Sequence, residues 1–247
     1  MNIEPAEPAT IADNWDVEKE CLVKPADLLA VPGVSESALA ADVATSLPAE
    51  APPAPWECDS TGIVWLTRGR GVRELLDGVL PGDAPSVVVV GGMISYSRTP
   101  VGPYHEVFGG VGLRNGRGAD VTIPFMAVDS RDSVVGGRQN WSLPKVLASF
   151  TGSPTSRSMT ATGDGWTVRV SARPIGPRLP VRTKGRVVQT WPDGVMRSAV
   201  LSGRARSQPA LVTVEVSSSG SLPQWLRRGR HLGAIMTGTT FTLPAAL

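Results

Sequence analysis

Apolar residues in this chain gather in short runs and alternations, with few long helical stripes. Ser86-Val-Val-Val-Val-Gly91 is a continuous apolar run of strand length, and Thr61-Gly-Ile-Val-Trp-Leu-Thr67 reads the same way. Met93 to Ser97 extends or follows the first run. Further strands are predicted at Glu106 to Leu113, Ala119 to Val128, Ser158 to Thr162, Trp166 to Ala172, Arg186 to Thr190, Ala210 to Glu215 and Leu232 to Thr242. Gly71 to Gly78 is predicted as a short helix closed before Pro81, and another helix is expected to start near Pro144 and Lys145. Many short strands with turn residues between them imply an α+β, mainly β fold: an antiparallel barrel or sandwich with a few helices packed on it.

The first 55 residues break this pattern. Pro25-Ala-Asp-Leu-Leu29 and Ser35 to Ala44 open with good first-turn chemistry, Pro at the first helical position and Ser as an N-cap. Pro48-Ala-Glu-Ala-Pro-Pro-Ala-Pro55 then makes an extended linker. Residues 1–55 are expected to be an acidic, partly helical arm for docking or oligomer contact, with simple disorder at its extreme N-terminus as the alternative, and residues 56–247 the β domain.

Charge sharpens that division. Residues 1–50 hold ten acids and two lysines, and the remainder holds 12 acids and 22 bases, so a net charge of +2 hides an acidic head and a basic body. The arginines are scattered singly from Arg68 to Arg230 with no aromatic-interleaved stripe, which argues against nucleic acid as a partner. A surface that meets the acidic arm, another subunit or an anionic substrate is the better reading. No apolar run approaches the ~18 residues of a membrane span, and the acidic start Met1-Asn-Ile-Glu-Pro5 lacks a signal-peptide pattern, so a cytoplasmic protein without membrane contact is expected.

Cys21 and Cys58 lie 37 positions apart without metal-ligand spacing, and with only His105 and His231 to join them no metal site is expected. Reduced thiols are the default, with a disulfide between them left open. Gly109-Gly-Val-Gly112 and Arg68-Gly-Arg-Gly71 lack the spacing of a dinucleotide fingerprint and read as turns or bulges.

Four lysines stand against 20 arginines, and one of the four, Lys145, falls in the apolar stretch Trp141-Ser-Leu-Pro-Lys-Val-Leu147. A lysine with an ordinary pKa near ~10.4 is neutral in about one molecule in a few thousand at pH 7. Burial among Trp141, Leu143, Val146 and Leu147, or a nearby Arg138, would raise that fraction and make the amine a nucleophile. The alternative is a packed stem with its head in water. A second segment, Gly102-Pro-Tyr104-His105-Glu106-Val-Phe108, places polar groups at the entry of an apolar strand. They would point into a cavity mouth or sit on a solvated strand end, where His105 would be an ordinary surface histidine.

Taken in order, Gly102 to Glu106, Pro124-Phe-Met-Ala-Val-Asp129-Ser, Gly137-Arg138-Gln139 and Leu143-Pro144-Lys145 resemble the acetoacetate decarboxylase-like superfamily, over Thr61 to Phe150. The resemblance implies a curved antiparallel sheet closed as a cone or barrel, with an interior active site and a multi-subunit assembly. It also implies a Schiff base between Lys145 and a keto acid or ketone, with Glu106 as a general acid/base or a substrate-orienting carboxylate; the family's lysine is itself a standard example of an activated amine. No metal or organic cofactor is then needed, because the iminium is the electron sink. Arg138, Tyr104, His105, Tyr96, Trp141 and Phe125 become candidate substrate-binding residues. For Arg138 the alternative is a structural pair with Asp129 or Asp132.

Departures from the family pattern select among reactions. Val146 stands where decarboxylases carry a second lysine, a glycine near position 91 where they carry a second glutamate, the Cys58-Asp59 region where they carry an arginine, and Gln139 where they have Glu. Aldol condensation with dehydration is therefore favoured over decarboxylation, and the Lys145 pKa is expected to be lowered mainly by burial. The competing reading is a non-covalent protein that holds or cyclises an apolar, polyketide-like ketone between Trp65, Tyr96, Tyr104, Phe125 and Trp141.

Overall fold

A computed structural model describes residues 22–247. Cys21, and with it the open disulfide, lies outside the described residues, as does the start of the arm. Eleven strands dominate: β1 (Trp56–Arg68), β2 (Ser86–Arg98), β3 (Tyr104–Asn115), β4 (Gly118–Val128), β5 (Lys145–Leu147), β6 (Ser149–Ser153), β7 (Ser158–Gly163), β8 (Trp166–Pro174), β9 (Leu179–Thr190), β10 (Met196–Ser218) and β11 (Gly229–Leu243). Pairing runs β11-β1-β2-β3-β4-β9-β10, and β10 pairs back onto β11, so the curved sheet closes into a ring. The pairs are antiparallel except those of β4 with β5 and with β9. The mainly β reading holds, with few helices.

Alternation explains the two faces. In β3, Tyr104, Glu106 and Phe108 face a cavity inside the ring, while Val107, fully buried, faces the opposite side. That opposite side packs on β7, β8 and the distal half of β10 through Trp65, Met93, Val168 and Val214, with Trp225 from a π-helical turn, Pro223–Arg227. β10 reaches both layers because its 23 residues pair first with β9 and then with β8.

The ring closes at an unusual seam. β4 meets β9 through the pair Val121 and Val187, and the buried Gln189 side chain adds the remaining hydrogen bonds. Its Oε1 accepts from Ile123 N at 2.8 Å and its Nε2 donates to Ile123 O at 3.1 Å. Beyond the seam β4 carries a bulge, where Gly109 and Val111 of β3 oppose Phe125 and Thr122. Pro124, which has no N–H to pair, sits in that bulge, and its carbonyl accepts from Val34 N at 2.9 Å.

Two expectations need correction. The helix lies at Arg131–Trp141, before Pro144, and Lys145 belongs to a strand. Ser142 adopts a left-handed φ of 51° that ends the helix, and a residue preceding proline is biased to extended conformations, so the chain leaves Pro144 as β5. Ser35 opens a 3₁₀ turn of three residues instead of a long helix, with a separate short helix at Ala41–Thr45. The described part of the arm is docked on its own chain: Val23 N donates to Gln139 O, and Asn140 Nδ2 donates to Pro52 O. Among the described residues no helix is long and apolar enough to cross a membrane.

Candidate functional site

All seven ring strands contribute to the wall of a cavity of about 270 Å³ that contains Lys145. The amine arrives there by a short chain of local causes. Ser130 caps the Arg131–Trp141 helix, its Oγ accepting from Ser133 N at 3.2 Å. The Ser142 turn then reverses the chain, and β5 aligns on β4 with Lys145 opposite Met126. The Lys145 stem passes over Gly137, where a Cβ would stand 2.5 Å from Lys145 Cδ. A side chain there would push the Lys145 stem aside.

Glu106 comes from β3, held between Ile94 of β2 and Val128 of β4. Lys145 Nζ lies 3.0 Å from Glu106 Oε2, 2.9 Å from Ser133 Oγ and 3.3 Å from Tyr104 Oη, so its three N–H donors each have an acceptor. The other carboxylate oxygen accepts from Tyr96 Oη at 3.0 Å, and the two tyrosine rings stack at 4.5 Å. Both charged side chains are 4% exposed.

Electrostatics correct one expectation. Burial works against the Lys145 charge, but the adjacent Glu106 carboxylate and the Tyr104 oxygen outweigh it and hold the ammonium above the ordinary lysine range. The resting site is therefore a buried ion pair. Burial also raises Tyr96 and Tyr104, which stay neutral phenols. Cys58 lines the same cavity, and burial pushes its thiol up to about 12. It is a neutral wall residue at physiological pH.

Among the remaining candidates, Trp141 lines the cavity, edge-on to Trp56 at 5.1 Å, with Nε1 donating to Pro244 O. His105 does not reach it. Its odd position in β3 turns it to the other face, where Asp129 binds its Nδ1 at 2.7 Å and Phe150 stacks on the ring. Phe125 is likewise turned away: Val121 and Ile123 face the cavity, the bulge inserts one residue, and Phe125 packs on Trp166 at 5.1 Å. Trp65 is in the core beside Gly91. Arg138 is fully buried but contacts neither Asp129 nor Asp132. Its Nε donates to Lys145 O, Nη1 to Leu28 O and Nη2 to Ser37 O, at 2.7, 2.7 and 2.8 Å.

The residues the sequence reading missed are Ser133 and Cys58. Ser133 is twelve positions from Lys145 in a segment with no apolar periodicity, and nothing in it marks a contact with the amine.

Residues 41–175 match the family model described as acetoacetate decarboxylase (ADC), more than half of the chain. No curated protein matches. Among solved structures, one described as acetoacetate decarboxylase has a TM-score of 0.55 at 13% identity, covering 80% of this chain and 90% of its own. The acetoacetate decarboxylase of Legionella pneumophila gives 0.51 at 16% identity, with 79% and 87% covered. The enduracididine biosynthesis enzyme MppR complexed with pyruvate gives 0.57 at 11%, with 82% and 93% covered. At these identities the structural likeness is one of fold, and the family rests on the model match: this chain belongs to the acetoacetate decarboxylase family.

Proposed function

We propose that this protein is a Schiff-base-forming lyase acting on a keto acid or ketone, with Lys145 as nucleophile and Glu106 as proton carrier. The observation that supports it is the 3.0 Å Lys145–Glu106 pair, buried at the wall of a cavity. A buried ion pair is costly to desolvate, so passing the ammonium proton to Glu106 as a carbonyl enters relieves charge and frees the amine. The amine adds to the carbonyl carbon, Glu106 protonates the departing hydroxyl, water leaves, and the iminium faces the regenerated carboxylate. The iminium then accepts electrons from a bond broken on the adjacent carbon.

Aldol condensation with dehydration is favoured over decarboxylation. Val146 supplies no second amine, and burial turns its side chain into the core. A structure of MppR holds the condensation product of pyruvate and imidazole 4-carboxaldehyde, so this fold accommodates such products. The same reading carries a cytoplasmic homo-oligomer, which light scattering on the purified protein checks.

Borohydride trapping tests the chemistry. Incubation with pyruvate, acetoacetate or a simple ketone should give a stable mass adduct that Lys145→Ala abolishes, and the absence of an adduct with every carbonyl would sink the covalent mechanism.

A further inference from the structure

The wall of the Lys145 cavity is apolar over most of its extent, with Trp56 and Trp141 on one side and Ile123, Val187 and Leu201 on another. Its volume of about 270 Å³ lies near the lower end of the ~300–1,000 Å³ range of ligand pockets, and pyruvate would fill only part of it. Three cations border it among the described residues, each already held by a carboxylate. Lys145 has Glu106 at 3.0 Å, and Arg197 has Asp193 at 2.9 Å. Arg186 donates through Nε to Asp120 at 2.9 Å, with its side chain 43% exposed at the outer end. Arg138, the remaining buried guanidinium near Lys145, is spent on three backbone carbonyls.

Position matters here. A 2-oxo acid joined to Lys145 carries its carboxylate one bond from the iminium carbon, so it must sit at the deep end. There the single positive charge of the iminium nitrogen is already matched by the Glu106 carboxylate, so a second carboxylate leaves the buried cluster one negative charge in excess, and among the described residues no further cation replaces the water it loses. An apolar arm on the same carbon would instead run along tryptophan and aliphatic side chains toward the outer end.

We infer, on the Schiff-base reading above, that the substrate is a ketone or aldehyde with an extended apolar arm and no carboxylate on the carbonyl carbon. Lys145 and Glu106 take the carbonyl end, and the arm supplies the binding energy by leaving water.

Matched carbonyls separate the two parts of this claim. Acetone and octan-2-one share a methyl ketone and differ in the arm, whereas octan-2-one and 2-oxooctanoate share the arm and differ in the carboxylate. The readout is the half-saturating concentration for borohydride-trapped adduct on the intact protein. Octan-2-one should saturate at a concentration at least tenfold below acetone and also below 2-oxooctanoate. Equal values for acetone and octan-2-one, or tighter saturation by 2-oxooctanoate, would overturn the inference while leaving the Schiff base intact. If none of the three forms an adduct, the covalent reading falls, and calorimetric titration with octan-2-one decides the rest. Uptake there supports the apolar-arm site without covalency, and no uptake overturns that too.

Discussion

Arg138 and Lys145 are buried cations seven residues apart on either side of the Ser142 turn, and they are neutralised in different ways. Burial pushes the Arg138 guanidinium down to about 10, still charged at neutral pH, and three backbone carbonyls from β5 and two turns of the arm fix its fork. Carbonyl dipoles can stabilise that charge but cannot take its proton. Lys145 instead faces a carboxylate that can. The difference separates a strut from a cation that has a proton acceptor beside it. One of the strut's three hydrogen bonds ends on the backbone oxygen of Lys145 itself, so the guanidinium fixes the backbone that carries the amine.

The largest effect that would break this contrast is on turnover. Glu106→Gln should slow adduct formation by about 10²–10⁴-fold, the usual worth of a positioned acid/base. In that variant only the Tyr104 oxygen still opposes the effect of burial on Lys145, so the pH midpoint of trapping should drop below that of the wild type. An unchanged rate and midpoint would show that Glu106 is not the proton carrier.

Next in size is Arg138→Met, which leaves three buried carbonyls without donors and should cost at least ~3 kcal/mol in urea unfolding. Arg138→Lys should recover little of it, since one ammonium cannot reproduce the fork. Wild-type stability in the Met variant would mean that the strut is dispensable. Gly137→Ala drives a methyl into the Lys145 stem, costing about 1–3 kcal/mol by overpacking. Displacing the amine by ~1 Å should cut the trapping rate about 10²-fold. A variant that is destabilised but traps at full rate would show that the stem adjusts.

Ser133→Ala removes one acceptor from the ammonium and should lower stability by about 1 kcal/mol with a smaller loss of rate. The smallest effect is in pH. Because the folded pKa of Lys145 lies above its ordinary 10.5, the pair's contribution is complete below that value and is lost as pH rises through the folded pKa. From this pair alone, the urea midpoint should be flat between pH 7 and 9, and a rise across that interval would contradict it.

Much of the ring could be read from the chain, because β1 to β4 carry apolar runs of strand length, with β3 and β4 buried on both faces for much of their course. The proximal half of β10 escaped notice, since Met196 to Arg206 mixes arginine and serine and is largely half-buried or exposed on a paired strand. β6, Ser-Phe-Thr-Gly-Ser, is polar because it lies at the end of the strand order. The Arg131–Trp141 helix was hidden by Gly136, Gly137 and Asn140, weak helix formers that are buried by tertiary contacts. In the site, Lys145, Glu106, Tyr96, Tyr104 and Trp141 were legible and meet around one cavity. His105 and Phe125 failed for reasons of strand parity, the second reversed by the Pro124 bulge, and parity across a bulge is not visible in a run of residues.

Gln189 has a wider consequence than closing the sheet. Besides both hydrogen bonds to Ile123, its Nε2 donates to Ser142 O at 3.2 Å, and Ser142 Oγ donates to Thr190 O at 2.9 Å. The seam of the ring and the turn that delivers Lys145 are thus fastened by one side chain. The sheet is a band with a clasp, and the clasp holds the turn before Lys145 in the same grip.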